Sequence, residues 1–336
     1  MIEIDGGEGE GGGQILRNAL ALSLITGQAF HIFNIRAKRQ RPGLMRQHLT
    51  AVEAACQIGA ASCDGAAVGS MEIVFRPGTV KAGSYHFAIG TAGSTGLVLQ
   101  TILMPLIFAE APSHIVLEGG THNLACPPFE FLAKTFLPLV NRMGPKVDAR
   151  LIRHGFYPSG GGRIEVAILP APLQPQEFVE RGALRQASGK AVVAALPFDI
   201  GKREAATACK ILDWPEEALP VTMLPQQQGP GNILLLEAEY EHVTEVVSGF
   251  GKLGVSAEAL AKKAGQRLAG YMESSAFAGP YLADQLLLPM ALSGRGRFTT
   301  VKPSEHTRTA AWVIGRFLER RCRIEQASRC HEIAVQ

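Results

Sequence analysis

A glycine-rich segment near the start of the chain combines a flexible backbone with carboxylates and an arginine. Residues 5–17 read DGGEGEGGGQILR, and the apolar residues after them predict that a helix begins at the end of this segment. Glycines permit close approach of the backbone to a ligand, and the free N–H groups of a helix start favour anions. The segment could therefore hold a phosphate, although glycines that only turn a strand into a helix are equally typical of such a stretch.

Two known nucleotide loops can be compared with this segment. Gly7, Gly9 and Gly12 match the dinucleotide pattern G-x-G-x-x-G, but that loop needs an acidic residue about 20 positions later to hold a ribose hydroxyl. No Asp or Glu occurs between Glu10 and Glu53. A Walker loop needs Gly-Lys-Ser/Thr after its glycines, and no such tripeptide follows. The sequence therefore indicates neither of these loops.

A run of basic residues follows the glycine-rich segment. From Gly11 to Val52 the chain carries six Arg and Lys side chains and no acid, and five of the six lie in RAKRQRPGLMR, residues 36–46. Such a run is usually a solvated basic face, and otherwise it contacts phosphates or nucleic acid. The neighbouring glycine-rich turn favours the second interpretation.

Length and composition are typical of a globular protein. A chain of 336 residues, 46% hydrophobic and 19% charged, can bury a substantial core and is expected to form two domains. Its longest apolar runs, such as residues 97–109, are too short to span a bilayer, and no basic-then-apolar leader opens the chain. We therefore expect a soluble, cytoplasmic protein with no membrane partner. The six cysteines show no C-x-x-C pair and no zinc spacing, which indicates reduced thiols and no structural metal.

The chain repeats a pattern that would position the glycine-rich and basic segments. Three helices are predicted after glycine-containing turns, each followed by an apolar strand, a second helix entered through proline, and two further strands. These units occupy residues 10–89, 94–168 and 279–335, and the first is taken to close with MEIVFRP and SYHFAIG. The mixed order predicts an α/β fold in which each repeat packs two helices on a small sheet.

A different stretch interrupts the repeats. Residues 169–182, LPAPLQPQEFVERG, are rich in proline and polar groups and predict a linker or a domain edge. The next segment reads as strand, helix, two strands and helix, so we predict a smaller inserted α/β domain at residues 183–277. The three repeats would then form one discontinuous domain of residues 1–182 and 278–336.

The repeats also place polar residues at equivalent positions. Arg17, Gln100 and Gln285 each lie roughly one turn inside the first helix of their unit, on an otherwise apolar face. A single such residue most often reaches the rim of a core. Three in register predict that the helix starts converge on one polar site, where unpaired backbone N–H groups favour an anion.

Together these segments resemble the RNA 3'-terminal phosphate cyclase family. The resemblance extends from Gly9 to about His331 and includes the position of the insertion. Its motifs are GEGGGQILR (9–17), RPGLMRQHL (41–49), RHGFYPSGGG (153–162), GPYLADQLLLPMAL (279–292) and the histidine of KPSEHTR (302–308). It implies three repeats with an insert. It also implies conversion of an RNA 3'-terminal phosphate into a 2',3'-cyclic phosphate, using ATP, a divalent cation (Mg²⁺ or Mn²⁺) and a covalent histidine–AMP intermediate.

The resemblance assigns the nucleophile to His306. This residue opens a predicted helix, whose positive terminus disfavours imidazolium and keeps a ring nitrogen free to attack phosphorus. Attack on the α-phosphate of ATP would expel pyrophosphate, and the RNA 3'-phosphate would then displace histidine to give an RNA–adenylate anhydride. The neighbouring 2'-hydroxyl would close the ring and release AMP. A lone histidine is more often structural, but no K-x-D-G motif supplies a lysine nucleophile instead.

The resemblance also implies roles for other residues. Those implied to contact the adenosine and phosphates are Gln100, Tyr281, Leu282, Ala283, Asp284 and Gln285, with Tyr281 stacking on adenine. Those implied to engage phosphate or RNA are Arg17, Arg36, Arg39 and Gln47. Glu10 is the implied ligand of the divalent cation, because hard cations take oxygen ligands. Two alternatives stay open here, since Glu8 could be the ligand and Glu10 could be only a carboxylate at a helix entry.

Two other functions compete with that of an ATP-dependent RNA cyclase. One is that of a relative with the same fold, retained in ribosomal RNA processing, that lacks the nucleophile; His306 together with YLADQ argues against it. The other is an enolpyruvyl-transferase-like enzyme, whose clustered arginines would bind a small phosphorylated substrate. Neither alternative forms an adenylate, so labelled ATP separates them from the cyclase. The sequence does not indicate the oligomeric state or the natural RNA.

Overall fold

A computed structural model describes residues 1–124, 126–327 and 329–336 of the chain. Within these residues, helices pack on four sheets of four strands each. In every sheet one pair of neighbouring strands is parallel and the other two pairs are antiparallel. The α/β class with repeated small sheets is therefore confirmed.

The first repeat begins with a strand, not a helix. Its elements are β1 (Ile2–Asp5), α1 (Gly13–Thr26), β2 (Phe30–Phe33), α2 (Arg46–Gly59), β3 (Ser62–Asp64) and β4 (Ile73–Arg76). The sheet order is β1-β2-β4-β3, with β1 and β2 parallel. A parallel pair needs a crossover connection, and α1 provides it.

The second repeat has the same topology. Its elements are β5 (Ser84–Ala88), α3 (Thr95–Ile107), β6 (Ser113–Gly119), α4 (Phe129–Phe131), a π-helical turn (Leu132–Phe136), α5 (Leu137–Arg142), β7 (Lys146–Arg153) and β8 (Gly162–Leu169). The sheet order is β5-β6-β8-β7, with β5 and β6 parallel. The expectation that SYHFAIG closes the first repeat is therefore wrong, because this stretch is β5 and pairs with β6.

The third repeat is split by the inserted segment. Its first strand, β9 (Gln176–Phe178), precedes the insertion, whose elements are β10 (Leu184–Ala194), α6 (Phe198–Leu212), β11 (Val221–Leu224), β12 (Gly231–Tyr240), β13 (Thr244–Phe250) and α7 (Ala257–Glu273). The repeat resumes with α8 (Pro280–Leu292), β14 (Gly296–Thr300), α9 (Glu305–Phe317), β15 (Cys322–Gln326) and β16 (His331–Val335). Strand β9 pairs in parallel with β14 across the whole insertion.

Two sequence-based expectations about this region are wrong. The proline-rich stretch 169–182 is not only a linker, since it contains β9. The inserted segment also contains β11, a short strand that the sequence analysis missed and that pairs in parallel with β10. The inserted sheet, ordered β11-β10-β12-β13, is separate from the sheets of the repeats. The division into domains at residues 182/183 and 277/278 stays a prediction.

The helices of different repeats share a core. Helix α1 packs against α2, α3 and α9, and α8 packs against α9. Most of α1 is buried, including Leu16, Leu20 and Leu22. The rings of Phe30 and Phe317 meet edge to face with centroids 6.0 Å apart, which joins the first and third repeats. Because this core is continuous, the first turns of α1, α8 and α9 are held close together.

The two ends of the insertion are joined to each other. Phe178 before it and Phe277 after it stack with ring centroids 5.3 Å apart and an interplanar angle of 14°. The Thr299 hydroxyl of β14 donates to the Val179 carbonyl at 2.8 Å and accepts from the Phe277 N–H at 3.0 Å. The insertion therefore leaves the third repeat and returns to it at one place, beside β14.

Two further expectations concern membranes and thiols. Among the described residues, the structure contains no helix long and apolar enough to cross a membrane. All six cysteines lie in the described residues, and each is a free thiol.

Candidate active site

A cleft lies where the first turns of several helices meet. It is lined from α1, α3, α8 and α9, and by residues before and within the π-helical turn, and among its lining side chains are those of Gln14, Arg17, Gln100, Tyr281, Asp284, Gln285 and His306. Arg17, Gln100 and Gln285, the three residues in register, thus face one cleft. The predicted convergence of the helix starts is confirmed, while the roles of these residues stay predictions.

A chain of hydrogen bonds leads from Asp284 to His306. The Gln14 amide donates through Nε2 to Asp284 Oδ2 at 3.2 Å, and its Oε1 lies 2.9 Å from His306 Nδ1. Since the donation to Asp284 fixes the orientation of the amide, Oε1 must accept a hydrogen bond from the Nδ1–H group. The neutral imidazole then carries its proton on Nδ1 and leaves the lone pair of Nε2 free.

The surroundings of His306 keep the ring neutral. Burial lowers the pKa of His306 below its usual value, and the positive charges of Arg17 and Arg39 lower it further. The residue is the second of α9, whose start is capped by Ser304 Oγ accepting from the Thr307 N–H at 3.2 Å. A positive helix terminus also disfavours imidazolium. The predicted position at a helix start is confirmed.

Asp284 and Gln285 present unpaired oxygens in the same cleft. Within residues 1–124, 126–327 and 329–336, Asp284 Oδ1 and Gln285 Oε1 are buried and have no hydrogen-bond partner. Burial raises the pKa of Asp284 to about 7, although Arg17 opposes the shift. Burial likewise lowers the pKa of Arg17 to about 10. Because unpaired buried oxygens are costly, the cleft suits a ligand that donates hydrogen bonds and carries anionic groups for Arg17.

Glu10 lies beside His306, whereas Glu8 is exposed. Glu10 Oε2 is 3.7 Å from His306 Nδ1, its other carboxylate oxygen pairs with Arg39, and only 11% of the side chain is accessible. The backbone N–H of Glu10 donates to Thr309 Oγ1 of α9 at 3.1 Å. Of the two acids, Glu10 therefore has the position that suits a cation ligand next to the cleft. A cation there would share this carboxylate with Arg39.

The glycines before α1 are required by close contacts. A Cβ at Gly12 would collide with the Glu10 carboxylate, and one at Gly13 would collide with the His48 ring. Gly9 and Gly11 have φ of +50° and +61°, a region that favours glycine. Gly12, at the N-cap of α1, offers no side-chain cap to the helix start. The glycine-rich segment thus brings the start of α1 close to the Glu10 carboxylate and the His48 ring.

Two residues of the site were missed by the sequence analysis, Gln14 and His48. His48 is buried against Gly13, and its Nδ1 accepts from the Met45 N–H at 3.2 Å. Burial lowers the pKa of His48 to about 3, and the charges of Arg17 and Arg36 act in the same direction. Both residues lie inside quoted motifs, GEGGGQILR and RPGLMRQHL. Their polar side chains within apolar helical patterns were the available signal.

Some residues implied by the resemblance lie apart from the cleft. Arg36, which has a φ of +55°, donates through one guanidinium nitrogen to the carbonyls of Arg41 and Gly43, both at 2.7 Å. Gln47 accepts from the Ser94 N–H at 3.0 Å and so ties α2 to the start of α3. Both residues make intramolecular contacts in the part of the chain that the structure describes, and their contact with phosphate or RNA stays a prediction.

Leu282 and Ala283 belong to the core. Both side chains are fully buried and are not part of the lining of the cleft. Their side chains therefore face the core, and their implied contact with a nucleotide stays a prediction. They lie in the first turn of α8 next to Tyr281 and Asp284, which do line the cleft.

A second cluster of chemically capable side chains lies outside the cleft. His122, Glu130 and His154 have potential ligand atoms within 4.8 Å of one another. However, the two imidazole rings stack at 21° with centroids 4.8 Å apart, so one ion cannot lie in the plane of both. Both nitrogens of His122 are hydrogen bonded, to Thr121 and to Glu130, and Lys190 pairs with Glu130 at 2.9 Å. This arrangement is typical of a buried charge network, here joining the second repeat to the insertion.

Comparison with known proteins identifies the family. The family model described as "RTC: RNA 3'-terminal phosphate cyclase" matches residues 8–324. A protein of Koribacter versatilis (strain Ellin345) named "RNA 3'-terminal phosphate cyclase" is 50% identical over 336 residues, covering 100% of this chain and 95% of its own. Proteins with the same name from Ectopseudomonas mendocina (strain ymp) and Ralstonia nicotianae (strain ATCC BAA-1114 / GMI1000) are 48% and 50% identical, covering 95% and 94% of this chain and 93% and 91% of their own.

The protein is therefore an α/β protein with repeated sheets, and the starts of its helices form one polar cleft. The chain belongs to the RNA 3'-terminal phosphate cyclase family. The enolpyruvyl-transferase alternative is therefore set aside.

Proposed function

We propose that the protein converts an RNA 3'-terminal phosphate into a 2',3'-cyclic phosphate, with ATP as the second substrate and His306 as the residue that becomes adenylylated. The observation that carries this proposal is the hydrogen-bond chain from Asp284 through Gln14 to His306. It fixes the imidazole as a neutral tautomer with a free Nε2, which is what a nitrogen nucleophile requires. The names of the relatives support the choice of RNA as substrate.

In the first step His306 Nε2 attacks the α-phosphorus of ATP. A nitrogen–phosphorus bond forms, the bond to the pyrophosphate oxygen breaks, and pyrophosphate leaves with the electron pair. Nδ1 keeps its proton and donates it in the hydrogen bond to Gln14 Oε1. The positive charge that develops on the ring lies near the Glu10 carboxylate, 3.7 Å from Nδ1. Arg17, which lines the cleft, is placed to meet the anionic oxygens.

In the later steps AMP is transferred from His306 to the RNA. An oxygen of the RNA 3'-phosphate attacks the adenylate phosphorus, and the nitrogen–phosphorus bond breaks with its electron pair returning to Nε2. The adjacent 2'-hydroxyl then attacks the 3'-phosphorus, loses its proton and expels AMP. That step is favoured by proximity, since the sugar itself holds the hydroxyl beside the phosphorus.

A divalent cation, Mg²⁺ or Mn²⁺, fits the carboxylate of Glu10. With Glu10 as a protein ligand, phosphate oxygens and water would complete the coordination of the cation, which is the usual arrangement for Mg²⁺. When bound, the cation would supply neutralisation of phosphate charge. Tyr281, Gln100, Asp284 and Gln285 line the part of the cleft that would hold the nucleotide.

The proposal is tested by incubating the protein with ATP, Mg²⁺ and an RNA that ends in a 3'-phosphate. We expect AMP release and a 3' end that becomes resistant to phosphatase, whereas an RNA ending in a 3'-hydroxyl gives no cyclic product. A folded protein that binds the RNA but neither forms AMP nor changes its end would contradict the proposal. That outcome would favour the alternative of a non-catalytic relative.

Arg39 provides a test of RNA binding by the basic run. Its side chain is 44% exposed and lies beside Glu10, so it is placed between the cleft and solvent. We expect Arg39→Ala to weaken RNA binding and to reduce the slope of log affinity against log salt by about one, because one phosphate contact is lost. Binding is measured by fluorescence anisotropy at several salt concentrations. Arg150, whose side chain is 76% exposed and which lies outside the run, is the matched control. Equal slopes for wild type and Arg39→Ala would make the run only a solvated face.

A further inference from the structure

The insertion reaches the ring of Tyr281. The guanidinium carbon of Arg267, from α7, lies 5.1 Å from the centroid of the Tyr281 ring. Phe131, from the second repeat, meets the same ring edge to face, with centroids 6.4 Å apart and an interplanar angle of 88°. Tyr281 also lines the cleft. Its ring is thus oriented by contacts from two other parts of the chain.

The insertion also reaches the start of the helix that carries Tyr281. Glu245, from β13, has 1% of its surface exposed and accepts from the backbone N–H of Gly279 at 3.3 Å. Gly279 is the N-cap of α8 and provides no side-chain cap of its own. A Cβ at Gly279 would collide with the Glu245 carboxylate, so the close approach depends on glycine. The insertion therefore supplies the cap that α8 lacks.

These two contacts have different consequences for the cleft. The contact with Glu245 fixes the position of the first turn of α8, while the contact with Arg267 fixes the orientation of one ring on that turn. A cation over an aromatic face is attracted by the negative charge of the ring face, and the attraction increases when water is excluded. With one face of Tyr281 covered by Arg267, a planar base has only the other face on which to stack.

We infer that Arg267 is a positioning residue for nucleotide binding, which holds the Tyr281 ring in the orientation that receives the base of ATP. The inference rests on the proposed function for the identity of the nucleotide. It makes the insertion a part of the nucleotide site, although the chemical groups that line the cleft come from the repeats. It also predicts that Arg267 acts on the affinity for ATP and not on the attack by His306.

The experiment measures the rate at which labelled AMP is transferred to the protein as a function of ATP concentration. Arg267→Met keeps the aliphatic part of the side chain but removes the guanidinium, and we expect it to raise the KM for ATP by about threefold to tenfold, within the range given by a cation–π contact. The maximal rate should change by less than about twofold, because the Asp284–Gln14–His306 chain is intact. Lys263→Met, on an exposed position of the same helix, is the matched control.

A double-mutant cycle with Tyr281→Leu separates positioning from a direct contact with ATP. If Arg267 acts through the ring, Arg267→Met has no further effect on KM once the ring is absent. Additive effects of the two substitutions, or an unchanged KM in Arg267→Met, would overturn the inference while wild type still takes up label. Absence of label from wild-type protein would instead contradict the proposed function.

Discussion

Replacing His306 by alanine is expected to abolish the transfer of AMP from ATP to the protein. The substitution removes Nε2, the free lone pair that the hydrogen bond between Nδ1 and Gln14 leaves available. Loss of a covalent nucleophile typically lowers the rate by about a thousandfold or more. The measurement uses ATP labelled at the α-phosphate, with acid-labile label counted on the protein and mass spectrometry locating AMP on residue 306.

The same substitution should leave the fold intact. His306 is the second residue of α9 and its side chain is 47% exposed, so the free energy of unfolding should change by less than about 1 kcal/mol. His86→Ala, at an imidazole that is 57% exposed and distant from the cleft lining, is the matched control and should be labelled normally. Label on a lysine of wild-type protein, or label retained by folded His306→Ala, would refute the proposed nucleophile.

Glu10→Ala is expected to slow adenylylation and to raise the metal concentration needed for half-maximal rate by about tenfold or more, a loss typical of weakened metal sites. The reason is that Glu10 brings a carboxylate beside His306, where the phosphates would lie. Glu8→Ala is the natural control, since Glu8 lies two residues away on the same loop but is exposed. The measurement is a titration of the labelling rate with Mg²⁺ and with Mn²⁺ at fixed ATP.

Glu10 also pairs with Arg39, and this pair has to be separated from the effect on the metal. Loss of Arg39 alone removes the pair but keeps the carboxylate, so Arg39→Ala should not raise the metal requirement. Arg17→Ala should slow the reaction even at saturating metal, because Arg17 is placed to meet phosphate oxygens and not the cation. Identical metal titrations for wild type and Glu10→Ala would remove Glu10 from the metal site and leave the loop a mainly structural role.

The convergence of the helix starts was predictable because it follows from the repetition of three similar units along the chain. Arg17, Gln100 and Gln285 occupy the same position in three similar helices, and similar units packed on one core bring equivalent positions together. Gln14 could not be assigned in this way. Its role depends on Asp284 and His306, which are distant in sequence and meet it only through the packing of α1 beside α8 and α9.

The errors at strands have a common physical cause. SYHFAIG has the alternation of a strand but carries no information about its partner, and its parallel pairing with β6 depends on the crossover by α3. Strand β9 is short, lies in a proline-rich stretch and is an edge strand of its sheet, where it pairs with β14. Local propensity is weak for such edge strands, since cross-strand packing decides their formation.

The sequence segments that contain Arg36 and Leu282 do not determine where these two side chains point. A motif fixes residue types, whereas the guanidinium of Arg36 is directed to two loop carbonyls by a backbone with positive φ. Leu282 lies within the YLADQ motif, yet the helical period turns it toward the core while Tyr281 and Asp284 face the cleft.

The contact between Phe178 and Phe277 at the two ends of the insertion has a consequence for the order of folding. Strand β9 is synthesised before the insertion, but its partner β14 follows the insertion, so β9 can join the third sheet only after the loop formed by the intervening chain has been closed. Closing a long flexible loop costs entropy, and non-local pairing slows folding. An insertion that folds early brings its own ends together and shortens that loop to a few residues. We therefore expect the cleft, whose α8 and α9 belong to the third repeat, to be assembled last during synthesis.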